Sequence, residues 1–150
     1  MSTNTTSPAV RQVQPYLYFD GRTEEALEFY KKALDAEVEC MFRFKDSPDP
    51  GSAPPGAENK IMHSNFRVGQ SQLMASDGDC GGKASFQGIS LSLSVPSVEE
   101  CERFFNALSE GGQVQMPLVE SFFAQRFGMV ADKFGVSWMV IAAKEVDQPS

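Results

Sequence analysis

The sequence predicts an α+β fold in which one βαβββ unit is used twice, its two sheets curving together into a trough. Three observations predict it. Short alternating runs and amphipathic stretches follow one another as strand, helix and three strands, and the same order then restarts. A shift of 75 residues lays Glu24-Glu25 on Glu99-Glu100, Phe29 on Phe104, Tyr30 on Phe105, and Tyr16 and Tyr18 on Leu91 and Leu93. Farther on the offset drifts, with Gly69 meeting Gly135, as expected of copies whose loops differ in length. A glycine-rich stretch holding Gly78, Gly81 and Gly82 separates the copies.

In the first copy, residues 12–19 are rich in Val, Tyr, Leu and Phe and suit a strand, which Asp20-Gly21 ends. Thr23 is placed to cap a helix, with Glu24 and Glu25 in its first turn. Ala26, Leu27, Phe29, Tyr30, Ala33 and Leu34 then form an apolar stripe at helical spacing. Residues 37–44 alternate, putting Val38, Cys40, Phe42 and Phe44 on one face of a half-buried strand. The segment 46–59 has Pro48, Pro50, Pro54, Pro55, Gly51 and Gly56 and almost nothing to bury, so it is expected to be mobile or to act as a lid. Strands at 60–68 and 71–76 are joined by a tight turn at Gly69-Gln70.

The second copy repeats the plan. Ile89, Leu91, Leu93 and Val95 alternate with Ser90, Ser92 and Ser94, a strand with one apolar and one small polar face. Ser97 to Glu100 reads as a capping box, and Cys101, Phe104, Phe105 and Leu108 follow at helical spacing until Gly111-Gly112. Three strand-like runs at 113–118, 127–131 and 137–143 complete it, with a turn at 132–135. The expected organisation is a disordered tail at 1–11, a first module at 12–77, a linker at 78–85, a second module at 86–143 and a tail at 144–150, in one globular domain.

Composition narrows the function. A chain of 150 residues, 41% of them hydrophobic, can bury a sizeable core unaided. Its formal net charge of −7 repels phosphate backbones and anionic lipid, which disfavours nucleic acid and membrane surfaces as partners. No apolar run approaches the length that spans a bilayer, and the first residues lack the basic and apolar regions of a secretion signal. Cys40, Cys80 and Cys101 show neither a CxxC spacing nor a metal-ligand spacing, which fits thiols in a reducing compartment and an expected cytoplasmic location.

A sheet covered by a helix on one side leaves its other face bare, and two such sheets side by side make a concave surface of the kind small molecules occupy. The paired units resemble the glyoxalase/bleomycin-resistance/dioxygenase group, the vicinal oxygen chelate superfamily. Tyr16 to Gly21 leading into Glu24 to Tyr30 carries that resemblance. Within the group, Lys60 to Ser64, Leu73 to Asp77 and Phe127 to Trp138 are similar to the PhnB-like branch. The resemblance covers roughly residues 12–143. It implies the fold, and in metal-using members it implies His, Gln or Glu on the first and last strands of each unit. By register those positions fall here near Gln14, Met74, Ser90 and Met139. Thioethers and serine hydroxyls are poor ligands for a divalent ion, so no tightly bound metal and no other cofactor are expected. Relatives also place glycine where Asp35 stands, so the first helix must end on a residue less suited to a left-handed conformation.

The ligand-binding candidates are Gln14, Tyr16, His63, Met74, Ser90, Ser92, Gln125, Phe127 and Trp138, a mixture of rings, thioether and isolated polar groups. His63, the sole histidine, and Glu120 are the best candidates for acid–base chemistry. Asp77 and Asp132 read as turn residues whose carboxylates satisfy local main-chain N–H groups. The first expectation is therefore a PhnB-like protein that binds a small organic ligand, a homodimer closed along its sheet edges. A second is a lyase or isomerase in which Gln14, His63 and Glu120 hold a divalent ion weakly. A third is a non-catalytic structural or partner-binding module.

Overall fold

The computed structural model describes residues 11–49, 53–78 and 80–144. Of the expected tails at 1–11 and 144–150, residues 1–10 and 145–150 lie outside these residues, as do Pro50, Gly51 and Ser52 of the proline-rich loop and Asp79 of the expected linker. The first unit runs β1 (Tyr16–Tyr18), α1 (Thr23–Leu34), β2 (Glu37–Arg43), β3 (Ile61–Val68) and β4 (Ser71–Ser76). The second runs β5 (Leu91–Val95), α2 (Val98–Ser109), β6 (Gln113–Val119), β7 (Ala124–Ala131) and β8 (Ser137–Ala143). Each forms a four-stranded mixed sheet, in the orders β1-β4-β3-β2 and β5-β8-β7-β6. In each, the first strand lies parallel to the last and the remaining pairs are antiparallel.

Both helices bury one stripe against a core shared by the two units. Ala26, Leu27, Tyr30, Ala33 and Leu34 are buried on α1, and Cys101, Phe104, Phe105 and Leu108 on α2. These belong to one cluster with Leu17, Phe66 and Leu73 of the first sheet and Val130, Trp138 and Val140 of the second. The Tyr30 ring stacks on Phe66, with centroids 5.9 Å apart, and meets Trp138 edge-on at 5.6 Å, so one helix residue touches both sheets. Close backbone approach also matters. A Cβ built on Gly128 of β7 would lie 2.7 Å from the Phe105 ring, so glycine is what lets α2 settle on that strand.

The helix ends differ from the sequence expectation in one instructive way. Thr23 is the first helical residue rather than the cap, and no side chain of the preceding Arg22 caps the helix. Instead Asp77, just past β4, reaches across and accepts from the N–H groups of Gly21 (2.8 Å) and Thr23 (2.9 Å) through Oδ1. Its Oδ2 accepts from the Ile61 N–H at 2.7 Å. Asp77 is thus not a local turn residue, because its donors lie on a distant helix end and a neighbouring strand. A buried carboxylate here satisfies donors that α1 would leave orphaned, and it suits the positive end of the helix. At its other end α1 closes on Asp35, left-handed at φ 56°, with the Arg103 guanidinium 3.1 Å from its carboxylate. For α2, Ser97 caps as expected, accepting from the Glu100 N–H at 3.1 Å.

Several strand expectations need correction. β1 is only Tyr16–Tyr18, although Pro15 O already accepts from the Met74 N–H. β5 begins at Leu91, leaving Ile89 exposed, and β7 starts earlier than expected because Ala124 pairs with Ala143. β2 is bulged at Glu39 and its partner β3 at Met62, and the first bulge breaks the expected alternation: Val38 and Met41 pack on the core whereas Phe42 is 47% exposed. The described part of 46–59 is not a free lid either. Phe44 and Lys45 donate to the carbonyls of Lys60 and Glu58, and Ala57 is buried.

The duplication is more regular in space than in sequence. The helices correspond at the expected shift of 75. In the sheets, Tyr16 pairs with Met74 and Met74 with Asn65, while Ser92 pairs with Met139 and Met139 with Met129. Tyr16 therefore corresponds to Ser92, and laying Tyr16 and Tyr18 on Leu91 and Leu93 was out of register by one: the tyrosines face outward and the leucines inward. Even the first bulge is duplicated, with Glu39 between Val38 and Cys40 and Gln115 between Val114 and Met116.

Candidate functional site

Because the helices cover one side of the sheets, alternate strand residues project from the other. On the first sheet these include Tyr16, His63, Asn65 and Met74, on β1, β3, β3 and β4. The Tyr16 hydroxyl lies 2.8 Å from His63 Nδ1, and His63 Nε2 lies 3.0 Å from Asn65 Oδ1. The Asn65 carbonyl oxygen can only accept, so Nε2 donates to it, and in the neutral imidazole Nδ1 is then the acceptor for the phenol O–H. These three side chains thus link β1 to β3 over the intervening β4. Tyr18 stacks on Tyr16 with centroids 5.0 Å apart. Burial, and next the neighbouring Tyr18, push the Tyr16 phenol above its usual value.

Toward the β3–β4 turn a second row of side chains crosses the same sheet. Gln14 Nε2 donates to Gln72 Oε1 at 2.9 Å, Gln72 Nε2 to Glu39 Oε1 at 2.5 Å, and Arg67 pairs with Glu39 at 2.7 Å and Glu37 at 3.2 Å. On the second sheet a shorter row runs from Ser90 Oγ to Ser137 Oγ (2.9 Å) and on to Gln115 Oε1 (3.2 Å). Where the two sheets adjoin, a cavity of about 460 Å³ is lined by Gln14, Gln72, Ser90 and Ser92 among others. A larger one of about 620 Å³ opens on the second sheet beneath residues 84–90.

The predicted site residues therefore fall into groups. Tyr16, His63 and Met74 share the open face of the first sheet, and Gln14, Ser90 and Ser92 meet at the seam. Phe127 lies on the second sheet at the position that corresponds to His63, its ring 5.2 Å from Phe123. Gln125 is spent on the Ala143 carbonyl at 3.0 Å. Trp138 needs correction: it is only 3% exposed, packs on Tyr30 in the core, and donates from Nε1 to Asp132 at 2.9 Å, so no more than its edge reaches the seam cavity. Glu120 is exposed, 3.6 Å from Lys144. Gln14, His63 and Glu120 thus engage separate partners, and among the described residues no three of His, Cys, Asp and Glu cluster to hold a metal.

Asn65, Gln72 and Gln115 were missed. Asn65 had a signal, since period two from His63 places it on the same face. Gln115 had none, because a bulge decides where it points. Asp132 is buried and accepts from the Phe134 and Val136 N–H groups, the local role expected of it, but it also binds Tyr30 and Trp138. Cys101 is buried, and burial raises its thiol pKa, the state of a packing residue rather than a nucleophile.

Comparison with known proteins agrees with this architecture. The family model described as 3-demethylubiquinone-9 3-methyltransferase matches residues 11–141. Protein YjdN of Escherichia coli (strain K12) is 37% identical over 143 residues, covering 89% of this chain and 96% of its own. The crystal structure of protein PA1353 from Pseudomonas aeruginosa is 44% identical with a TM-score of 0.79, covering 91% of this chain and 100% of that one. The PhnB protein from Bacillus cereus is 28% identical with a TM-score of 0.74, covering 89% and 100%. At the level of fold alone, a glyoxylase/bleomycin resistance protein/dioxygenase domain from Frankia sp. EAN1pec aligns at 16% identity with a TM-score of 0.57, covering 93% and 95%. With two four-stranded mixed sheets shared in fold with the glyoxylase/bleomycin resistance protein/dioxygenase domain, a family model across most of its length and these relatives, a PhnB protein among them, the chain belongs to the family described as 3-demethylubiquinone-9 3-methyltransferase.

Proposed function

We propose that this PhnB-like chain binds a small organic ligand on the open side of its sheets, without a tightly held metal, and works in the cytoplasm as a homodimer. One observation carries the reading: the open side of the sheets, away from the helices, presents hydrogen-bond donors and acceptors set among rings and thioethers. Tyr16, His63 and Asn65 orient one another beside Met74, and Ser92 sits beside Met139 and Met129. Few directional polar groups on an apolar wall are what a modest organic molecule needs, and thioethers adapt to its shape. Exposed Phe42 on one outer edge strand, and Val114 and Val119 on the other, support closure by a second copy.

The family description names a methyltransferase, which implies a methyl-donor cofactor. The residues present do not fit a nucleoside donor of that kind. Its usual cradle is a glycine-rich turn from a strand into a helix. Here the turn into α1 is filled by the buried Asp77 carboxylate, and the turn into α2 by the Ser97 cap.

Metal analysis of protein purified without chelator, paired with a thermal-shift screen of organic metabolites, tests the proposal. The expected result is a midpoint raised by a subset of organic compounds, through mass action on the folded state, and substoichiometric metal. Stoichiometric zinc, nickel or manganese that disappears in His63→Ala would overturn it in favour of a metal-dependent lyase or isomerase. No response to any compound would favour a structural or partner-binding module.

A further inference from the structure

We infer that the second half of the chain holds a pocket selective for a neutral ligand, an apolar or aromatic body bearing an amide- or hydroxyl-like group; this rests on the small-molecule reading above and names its ligand class. The internal duplication carries the inference. Gln14, Gln72, Glu39 and Arg67 of the first half correspond, by strand pairing and by the shared bulge, to Ser90, Ser137, Gln115 and Ala131 of the second. The same hydrogen-bonded row is built in both halves. In the first it consists of long side chains and is closed by Arg67 paired to Glu37 and Glu39. In the second every member but Gln115 is cut short, and the cavity of about 620 Å³ lies there.

That volume falls within the range of about 300–1,000 Å³ that suits a small ligand. Its polar wall is Ser90, Ser137 and Gln115, and its apolar wall includes Met129, Phe86 and Phe134. No charged side chain lines it among the described residues. A charged ligand would meet no counter-charge along this wall, whereas a neutral amide or hydroxyl finds both donors and acceptors. The formal net charge of −7 adds a long-range penalty for anions. Among the described residues, the corresponding row of the first half carries the charged Arg67, Glu37 and Glu39 instead.

Three probes of nearly equal shape separate the cases: benzamide, benzoate and benzylammonium, titrated into the full chain while the Met129 methyl and Gln115 amide resonances are followed by NMR. Benzamide is expected to shift both resonances and to bind at least about tenfold more tightly than either ion. The double variant Ser90→Gln/Ser137→Gln, which rebuilds the first half's row, is expected to lose that binding, and Lys32→Ala, on the exposed face of α1, to keep it. Should the double variant fold poorly, Gln115→Met keeps volume at an exposed position and is expected to weaken benzamide severalfold. Equal binding of an ion, no benzamide binding, or binding undiminished in the cavity variants overturns the inference. An ion bound in this cavity would still leave the chain a small-molecule binder, so that failure is distinct from failure of the reading beneath it.

Discussion

The Tyr30 hydroxyl donates to Asp132 Oδ2 over 2.5 Å although 102 positions separate the two residues. Tyr30 sits on the first helix and Asp132 at the turn after β7, so this bond ties the two units together inside the core. Burial first, and then the Asp132 carboxylate, push the Tyr30 pKa well above the ordinary value of 10.0. In the unfolded chain the phenol titrates near that ordinary value, so the folded state holds its proton to higher pH. The stability from this group is complete below about pH 10 and is lost as the pH rises from there toward the folded value. Removing the hydroxyl in Tyr30→Phe is expected to cost about 1.5–3 kcal/mol. Denaturant midpoints compared between about pH 8 and about pH 11 are expected to fall more steeply in the parent chain than in Tyr30→Phe.

Asp77→Ala strips three main-chain donors, on Gly21, Thr23 and Ile61, of their acceptor. All lie where water does not readily replace it, because Asp77 is only 1% exposed. A loss of about 3 kcal/mol or more is expected in urea unfolding. Asp77→Asn should recover part of it, since one carbonyl oxygen can still accept from Gly21 and Thr23.

Asp35→Gly relieves a left-handed residue at the end of α1, and the Arg103 pair lost with it is an exposed one that contributes little. A net gain of about 0.5 kcal/mol is expected, read as a higher thermal midpoint. A lower midpoint would mean that the ion pair outweighs the backbone.

Gly128→Ala puts a methyl group 2.7 Å from the Phe105 ring and 3.0 Å from Leu118, and α2 must shift to admit it. The expected cost is about 1–3 kcal/mol. Gly81→Ala is the control: its added Cβ meets nothing within 4 Å, and a change within about 0.5 kcal/mol is expected in the same denaturation series.

Helices were the legible part of the fold. The stripe from Ala26 to Leu34 and that from Cys101 to Leu108 announce themselves because a helix repeats its contacts every turn, and both helices match the expected shift of 75. Strands were less legible. A period of two is lost at a single bulge, which is why Phe42 was placed inside and Gln115 was not noticed at all. Within the candidate site, His63, Tyr16 and Met74 were found by residue type and fall on one face, whereas Trp138 was drawn into the core by Asp132 and Tyr30.

From the amino-acid order alone came the duplicated βαβββ plan, the helix stripes, the β3–β4 turn and the scarcity of metal-binding side chains at the expected positions. These rest on local periodicity and residue chemistry, which need no knowledge of neighbours. Tertiary structure alone decided that Asp77 caps a helix more than fifty residues away, that Asp132 joins the two units, and that the row of Ser90, Ser137 and Gln115 on the second sheet borders a cavity while the first sheet's row runs through Gln14 and Gln72 to the Arg67–Glu39 pair. Each of these depends on strand register and on which buried donors are left without partners, and both are settled only when distant segments pack.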